Sequence, residues 1–269
     1  MKKRKKNKTN GLIIIGKILL FIIKIPYYIG KGIYFIIKKS SEGIKRNKVK
    51  EKRESIRAIY SEFKVIEEYE GDYKKWSEKV FKSDSKIGVI LGARGSGKTA
   101  FGVKMLENAY AKYKKKCYAI GFREDEMPSW INVVSDISKI GNDSFVLIDE
   151  GGVLYNARDF MSSANKILSE LILIARHKNL SILFISQNSS NLEINILRQA
   201  DFLALKSSSL LQKEFERKIV QKIYDQVEEQ FKEFEGEPGA TYIYADSFKG
   251  FIANPLPSFW GIKISKSFR

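Results

Sequence analysis

The sequence contains very little cysteine and histidine, and this scarcity excludes several kinds of site. Its 269 residues include one cysteine, Cys117, and one histidine, His177. A single cysteine cannot form an intramolecular disulfide and does not suffice for a cysteine-based zinc site. A single histidine excludes a multi-histidine metal centre, and any Ser-His-Asp chemistry would have to use this one ring. We expect His177 to be non-catalytic.

A long uncharged hydrophobic run is also missing, although residues 11–39 are rich in Ile, Leu, Phe and Tyr. A membrane-spanning helix needs about 20 apolar residues, but no uncharged run within this stretch exceeds six. Seven residues make nearly two helical turns, so lysines at that spacing share one helical stripe. The lysines are Lys17, Lys24, Lys31 and Lys38. The pattern predicts a basic amphipathic helix on an anionic membrane; a spanning helix and a helix packed on a partner protein are the alternatives.

Positive charge is concentrated at the N-terminal end of the chain. The formal net charge is +17, and residues 1–57 carry 18 Lys and Arg against three Asp and Glu, whereas residues 58–269 carry 30 against 28. We therefore predict a basic, amphipathic, membrane-associating extension over 1–57 and a nearly neutral globular domain over 58–269. An extension of this charge should meet lipid headgroups or nucleic acid.

In the globular part, short β-branched runs alternate with helical stretches, which predicts an α/β domain whose mainly parallel sheet lies between two layers of helices. Strands are predicted at 87–91, 117–121, 145–149, 181–186 and 202–206. Helices are predicted up to about 114, near 130–138, at 162–178 and at about 210–235, with a terminal hairpin after them. The stripe of the last helix should pack on the sheet: Leu211, Phe215, Ile219, Ile223, Val227 and Phe231. Residues 58–85 should present a solvated acidic surface at Glu67, Glu68, Glu70 and Asp72.

The segment GARGSGKT, residues 92–99, matches the G-x-x-x-x-G-K-[ST] pattern of a phosphate-binding loop. Such a loop needs glycines that turn tightly and leave room for polyphosphate, and the helix after it points its positive end at the phosphates. Lys98 should neutralise the β- and γ-phosphates, and the Thr99 hydroxyl should ligate Mg²⁺. The predicted nucleotide contacts are Gly92, Ala93, Arg94, Gly95, Ser96, Gly97, Lys98, Thr99 and Ala100.

A second motif follows the apolar strand at 145–148, which ends in Asp149 and Glu150. Asp149 is predicted to hold Mg²⁺ through water, together with Thr99. Glu150 is placed to orient or deprotonate the attacking water, which favours hydrolysis over binding alone. The guanine signature N-K-x-D and the LSGGQ motif are both absent from the sequence, and we expect ATP as the nucleotide.

A third motif surrounds the strand at 181–186. Gln187 ends this strand, where its amide should lie near the γ-phosphate and sense phosphate or position water. Arg176 precedes the strand and is predicted to reach the nucleotide of a neighbouring subunit. Arg158 is the other candidate for that arginine, and residues 153–163 are the predicted pore-facing loop.

Together the loop at 92–99, the Asp149-Glu150 pair, Arg176 and Gln187 resemble the FtsK/HerA superfamily of DNA-pumping P-loop ATPases over residues 86–206. The compact body is similar to the genome-packaging branch found in viruses with an internal membrane, including archaeal viruses. Gly151 and Gly152 depart from the family pattern, since many relatives carry a small residue and a histidine or glutamine there. The resemblance implies a ring, usually a hexamer, that couples ATP hydrolysis to translocation of double-stranded DNA.

These features predict a membrane-associated, Mg²⁺-dependent ATPase that drives double-stranded DNA into a virion. Capsid vertex proteins are possible partners, and the predicted location is the host cytoplasm and the virion. A Zot-like ATPase for phage extrusion and a conjugative or plasmid DNA-transfer ATPase remain alternatives. A non-catalytic membrane scaffold stabilised by nucleotide is the alternative of a different class.

Overall fold

The computed structural model describes residues 31, 34, 35, 38, 39, 43, 44, 47–82, 85–151, 170, 172–192 and 194–261. The chain divides into two units, Met1–Lys52 and Arg53–Arg269. In the first unit every described residue is helical and exposed, including Tyr34 and Phe35. Within the described ranges, none of the helices combines the length and apolarity that a membrane crossing requires. The helix predicted at 11–39 falls for the most part outside the described residues.

In the described part of the second unit, nine strands form one sheet in the order β1-β9-β8-β7-β2-β6-β5-β3-β4. The strands are β1 (Lys64–Gly71), β2 (Ile87–Leu91), β3 (Lys116–Ile120), β4 (Ile131–Val133), β5 (Ser144–Asp149), β6 (Ser181–Ile185), β7 (Phe202–Leu205), β8 (Ala240–Ala245) and β9 (Phe248–Ala253). The six strands from β7 to β4 are parallel, whereas β8, β9 and β1 add antiparallel pairs at one side. The predicted strands and the terminal hairpin are therefore confirmed.

Helices cover both faces of the sheet, so the second unit has three layers. The named helices are α1 (Tyr73–Lys82), α2 (Lys98–Tyr113), α3 (Ile194–Gln199), α4 (Leu210–Phe215) and α5 (Lys218–Glu233), and residues 172–178 are also helical. One core packs α1 and α2 on the sheet through side chains such as Trp76 and Phe101. The other packs α5 and 172–178 on the opposite face through Ile223 and Ala175. The predicted three-layer α/β architecture is confirmed.

The central strands are wholly buried because helices cover them on both sides. Every residue of β2 and of β5 is buried, which explains why these strands are continuous apolar runs without polar alternation. Their carboxyl ends meet at one edge of the sheet, hereafter the carboxyl edge. The loop 92–99 follows β2 at this edge, and Asp149 ends β5 two strands away, with β6 between them.

The helix predicted near 130–138 is wrong. Residues Ile131–Val133 instead form β4, which pairs in parallel with β3 from Cys117↔Ile131 onward, and Ile137–Lys139 make one 3₁₀ turn. The buried Ile131 side chain belongs to the core under α2, so sheet pairing decides the conformation of a segment too short to show a helical period.

The single helix predicted at 210–235 is also wrong, because the chain leaves the helix at Glu216 and Arg217. Both residues have extended backbone angles, and both bond the turn that begins at Ser189. The Glu216 carboxylate accepts the Ser189 N–H at 2.6 Å, and the Arg217 guanidinium donates to the Ser189 carbonyl at 3.0 Å. These bonds separate α4 from α5.

The break also divides the predicted apolar stripe of this region. Ile223 and Val227 on α5 are buried against the sheet, but Leu211, Phe215 and Ile219 are 75%, 69% and 62% exposed. The expectation that the stripe packs on the sheet therefore holds only for its second half.

Residues 58–85 form more structure than the predicted acidic surface. They include β1, which pairs with β9 at the edge of the sheet, and α1, which contributes Trp76 and Phe81 to the core. Glu67, Glu68 and Glu70 are exposed, as expected, and Asp72 is half-buried.

A buried ion pair joins the chain before β1 to α2. Lys104 and Glu107 on α2 lie 2.7 Å apart and are 1% and 0% exposed. Glu107 also accepts the N–H of Ile59 at 3.0 Å and that of Ser258 at 3.1 Å, while the Lys104 ammonium donates to the Ile59 carbonyl at 3.0 Å. Because every partner is satisfied, the pair is tolerated in the core and fixes both chain segments on α2.

Candidate nucleotide site

The loop 92–99 joins a buried strand to the first turn of a buried helix, and its shape depends on glycine. Gly92 lies so close to the chain after β7 that a Cβ there would stand 2.6 Å from the Cβ of Lys206. Gly97 caps α2 with a φ of 90°, a region that L side chains rarely adopt. The loop is further fixed by the Ala93 N–H, which donates to the Ser207 carbonyl at 2.9 Å.

Lys98 is 7% exposed, and its ammonium lies within the loop. It donates to the carbonyls of Gly92 at 2.7 Å and Ala93 at 2.8 Å. Burial lowers the pKa of Lys98 to about 8, whereas the carboxylates of Asp149 and Glu216 act to raise it. These hydrogen bonds to two backbone carbonyls of the loop hold the Lys98 side chain within the phosphate-binding loop.

Asp149 and Thr99 are the two residues whose side-chain oxygens would hold Mg²⁺. Asp149 is 6% exposed at the end of β5, and its Oδ1 accepts the Gly151 N–H at 3.0 Å. Thr99 is half-buried on the first turn of α2. Carboxylate and hydroxyl oxygens are ligands that Mg²⁺ prefers, and the charge of Asp149 acts to raise the pKa of Lys98.

Glu150 is held by Ser186, a residue that the motif analysis missed. The Ser186 hydroxyl donates to Oε2 of Glu150, and it also lies 2.9 Å from the Asn188 carbonyl. A hydroxyl has one proton, so it can serve only one of these acceptors at a time. Burial raises the pKa of Glu150, and the Ser186 hydrogen bond opposes that rise by stabilising the carboxylate. A polar residue closing the apolar strand 181–185 was the available sequence signal.

Glu216 is a second missed residue. It is 5% exposed at the junction of α4 and α5, and its charge acts on Lys98. Gln212 on α4 donates to Oε1 of Glu216 at 3.1 Å and to the Gln187 carbonyl at 2.5 Å. The α4–α5 junction thereby connects the end of β6 to the neighbourhood of the loop. No sequence signal distinguished Glu216, because it stands among exposed charges of a region predicted to be continuous helix.

Lys206 is a third missed residue, directly after β7. It is 1% exposed, and its ammonium donates to the Gly239 carbonyl at 2.8 Å and to Oδ1 of Asn254 at 2.9 Å. Burial lowers its pKa to about 7. Because Lys206 contacts Gly92 and bonds the chain on both sides of the β8–β9 hairpin, it joins the loop to that hairpin. A lysine closing an apolar strand was the sequence signal.

The remaining predicted residues occupy two edges of the sheet. Gln187 follows β6 at the carboxyl edge beside β5, as predicted, and its side chain is exposed. Arg176 and His177 lie before β6, at the opposite edge, and both are exposed. Arg176 is therefore separated from the loop of its own chain by the length of the strand. Arg158 and residues 153–163 lie outside the described residues.

The residues present fit a nucleoside triphosphate with Mg²⁺. The space beside Gly92 admits no side chain, and the buried hydroxyl of Ser96 has no hydrogen-bond partner within the described part of the chain. Arg94 and Gly95 are exposed at the tip of the loop, and Ala100 is buried on the first turn of α2. The four leading N–H groups of a helix have no partner within it, so the start of α2 can bind an anion.

The strand order, the loop after β2 and the acids at the end of β5 define a P-loop nucleotide-binding α/β domain. No protein-family model matches the chain, and no curated protein matches it. Among solved structures, the chain is similar to the genome packaging NTPase B204 from Sulfolobus turreted icosahedral virus 2 in complex with AMP, at 17% identity and a TM-score of 0.43, covering 64% of this chain and 98% of that one.

Two further solved structures resemble parts of the chain. EssC (ATPases 2 and 3) from Geobacillus thermodenitrificans is 12% identical, with a TM-score of 0.42 and coverage of 79% of this chain and 49% of that one. The N-terminal domain of zonular occludens toxin from Neisseria meningitidis is 19% identical, with a TM-score of 0.29 and coverage of 45% and 76%. At these identities the similarity concerns the fold alone.

Proposed function

We propose that the protein is a Mg²⁺-dependent ATPase that moves double-stranded DNA into a virion. The observation that carries the catalytic part is the meeting of three groups at the carboxyl edge: the ammonium of Lys98, the buried Asp149 and the carboxylate of Glu150 held by Ser186. Lys98 and the start of α2 bind the phosphates, and Thr99 and Asp149 would hold Mg²⁺, which would supply positive charge beside the transferred group. Glu150 accepts a proton from the attacking water.

The test of hydrolysis uses two substitutions and one control. Lys98→Ala removes the main counter-charge and should weaken ATP binding in a calorimetric titration. Glu150→Gln should bind ATP normally but lose turnover by roughly two orders of magnitude or more. Glu68→Gln, an exposed carboxylate on β1, is the matched control and should turn over like wild type. If Glu150→Gln turns over ATP at the wild-type rate, Glu150 is not the base. If the wild-type protein itself turns over no ATP, the protein is better explained as a non-catalytic scaffold that nucleotide stabilises.

Coupling to DNA is proposed from the combination of Asp149-Glu150, Arg176 and Gln187 with the loop. Duplex DNA should then stimulate ATP turnover of the full chain, and the stimulation should fall with salt because phosphate contacts release counterions. An extrusion ATPase should instead respond to its membrane partners. Turnover measured with and without duplex DNA, in the same samples used to determine oligomeric state, separates these functions.

We further propose that Arg176 acts on the nucleotide of a neighbouring subunit in a homo-oligomeric ring. This proposal is supported by the position of Arg176, which is exposed at the edge of the sheet opposite the loop of its own chain. From that edge, Arg176 can reach the nucleotide of a second copy but not its own. An arginine supplied in this way can contribute roughly 10³–10⁵ in rate. Mixing inactive Arg176→Ala with inactive Glu150→Gln protein should restore activity. The control is Arg198→Ala, which replaces an exposed arginine on α3 and should be active without mixing. If the subunits exchange and the mixture stays inactive, Arg176 does not act on a neighbouring subunit.

Membrane association of residues 11–39 is proposed from the lysine spacing, with a location on the host membrane or in the virion. Each basic residue near an anionic surface contributes about 1 kcal/mol, so binding should weaken with salt, while the apolar face keeps a remainder. In liposome flotation, the full chain should float, and a chain starting at Arg53 should not. This boundary keeps the bond of Arg53 to Glu124, 2.7 Å long. Equal behaviour of both proteins refutes the membrane role.

A further inference from the structure

A cleft of about 570 Å³ opens beside the phosphate-binding loop, on the side of the sheet that α2 covers. One wall is formed by Gly95, Ser96, Gly97 and Ala100, and the opposite wall includes Asn254, Pro255 and Leu256, which follow β9. Leu256 is 59% exposed, although it is a large apolar side chain. This cleft, hereafter the hairpin cleft, is continuous with the phosphate site because they share the loop and the first turn of α2.

The sheet order gives the direction in which a bound nucleotide must run. The acids Asp149 and Glu150 lie after β5, on one side of β2. If the terminal phosphate faces these acids, the other end of the triphosphate points away from β5, toward β7, β8 and β9. The hairpin cleft lies on that side, where β9 ends and β8 begins at the same carboxyl edge.

A second cleft of about 590 Å³ also lies on that side, but it fits a nucleoside less well. It meets the loop only at Ser96, whereas the hairpin cleft meets it at three residues and continues to Ala100. Charged side chains line both clefts and do not separate them: Glu62, Lys64, Lys206 and Glu237 line the hairpin cleft, and Lys213, Glu228, Lys232, Glu235 and Glu237 line the second. The more extensive boundary with the loop and with α2 favours the hairpin cleft.

The hairpin cleft is already held in shape by the protein. Lys206 lines it, and its ammonium bonds the Gly239 carbonyl before β8 and the Asn254 amide oxygen after β9. The backbone N–H of Lys206 also donates to the Leu91 carbonyl at 2.8 Å, directly before the loop. The wall of the cleft and the phosphate site are therefore connected through one buried residue, Lys206, by its ammonium on one side and its backbone N–H on the other.

We propose that the hairpin cleft binds the nucleoside half of the nucleoside triphosphate, with the flat base against Leu256. This proposal rests on the proposed function, since it presumes that the phosphates occupy the loop 92–99. It assigns the binding of the base to residues after β9, outside every motif of the sequence.

The experiment compares ATP with inorganic tripolyphosphate, which has the phosphates but no base, in calorimetric titrations of the full chain. Leu256→Asn should weaken ATP binding by roughly tenfold, the loss expected if about 60 Å² of apolar base surface loses its contact. Tripolyphosphate binding should not change, and Leu256→Met should bind ATP like wild type. The matched control is Leu210→Asn, which alters an exposed leucine in the second cleft (78% exposed, against 59% for Leu256) and should leave ATP binding unchanged.

Three results would overturn the proposal: unchanged ATP binding in Leu256→Asn, equal weakening of ATP and tripolyphosphate, or a loss in Leu210→Asn instead. A failure of the proposed function is distinguishable from these results. In that case wild-type protein binds neither ATP nor tripolyphosphate, or Lys98→Ala binds both as tightly as wild type does.

Discussion

Replacement of Ser186 by alanine tests how the proposed catalytic carboxylate is held. The substitution removes the hydroxyl, directly after β6, that donates to Glu150 and that also accepts the Asn188 N–H at 3.2 Å. Hydrogen bonds to charged groups contribute about 1.5–3 kcal/mol. If all of this free energy serves to keep Glu150 ionised and oriented during the reaction, turnover should fall by about ten- to a hundredfold.

The pH dependence of turnover separates this effect from a general loss of structure. Burial raises the pKa of Glu150, and the Ser186 bond lowers it. Removal of the hydroxyl should therefore raise the pKa further, and since the base must be ionised, the acid limb of the kcat profile should move to higher pH. Part of the lost turnover should return in alkaline solution.

Two other substitutions complete the test. Ser186→Thr keeps the hydroxyl and should restore both the rate and the acid limb. Ser181→Ala removes another buried hydroxyl from the opposite end of the same strand and should leave the profile unchanged. If Ser186→Ala keeps the wild-type rate and acid limb, Ser186 does not hold Glu150 in the working enzyme.

The buried lysines at the loop make pH a further probe of the site. Because the pKa of Lys98 is about 8, ATP affinity measured by calorimetry should decline as pH rises from about 7 to 9.5, whereas Lys98→Arg, which stays charged, should show no such decline. Glu216→Gln removes a charge that raises this pKa, so the decline should begin at lower pH; an unchanged onset contradicts the contact. Lys206 has a folded pKa of about 7, below the usual value, so between these values the unfolded chain binds more protons and stability rises with pH. In urea unfolding, wild type should gain up to about 1.4 kcal/mol per pH unit relative to Lys206→Met between pH 7 and 9, and parallel curves would exclude this linkage.

The parallel part of the sheet could be predicted from the sequence because its strands are continuous apolar runs with chemical signals at their ends. The motif at 92–99 and the pair Asp149-Glu150 each predict a local conformation and the edge of the sheet at which the residues lie. The strand β1 gave no such signal, since an exposed edge strand with Glu67, Glu68 and Glu70 has the composition of a surface loop. Its pairing partner β9 lies near the other end of the domain in sequence, so no local pattern indicates the pairing.

The site was predictable where function requires a residue type at a fixed spacing, and not where a distant segment supplies the contact. Lys98 and Thr99 belong to a local pattern that predicts a loop followed by a helix, and both lie on the first turn of α2. Glu216 reaches the neighbourhood of Lys98 only because α4 and α5 separate, and that break depends on bonds to Ser189 that no local pattern encodes. The prediction of one long helix concealed this residue.

The anchoring of residues 59–61 on α2 has a mechanical consequence. Ile59 is bonded by Lys104 and Glu107, and the amide of Asn108 holds the Ser61 carbonyl at 2.8 Å. A pull on the chain between Arg53 and Ile59 is therefore borne by these buried bonds, whereas a pull on the chain before Arg53 is met first by the bonds of Arg53 to Glu124 and Met127. The helix rises about 1.5 Å per residue, so the load enters α2 at Lys104, Glu107 and Asn108, roughly 9 to 15 Å from Lys98. Tension on the chain between Arg53 and Ile59 would thus reach the helix that begins at the phosphate-binding loop before it reaches the sheet.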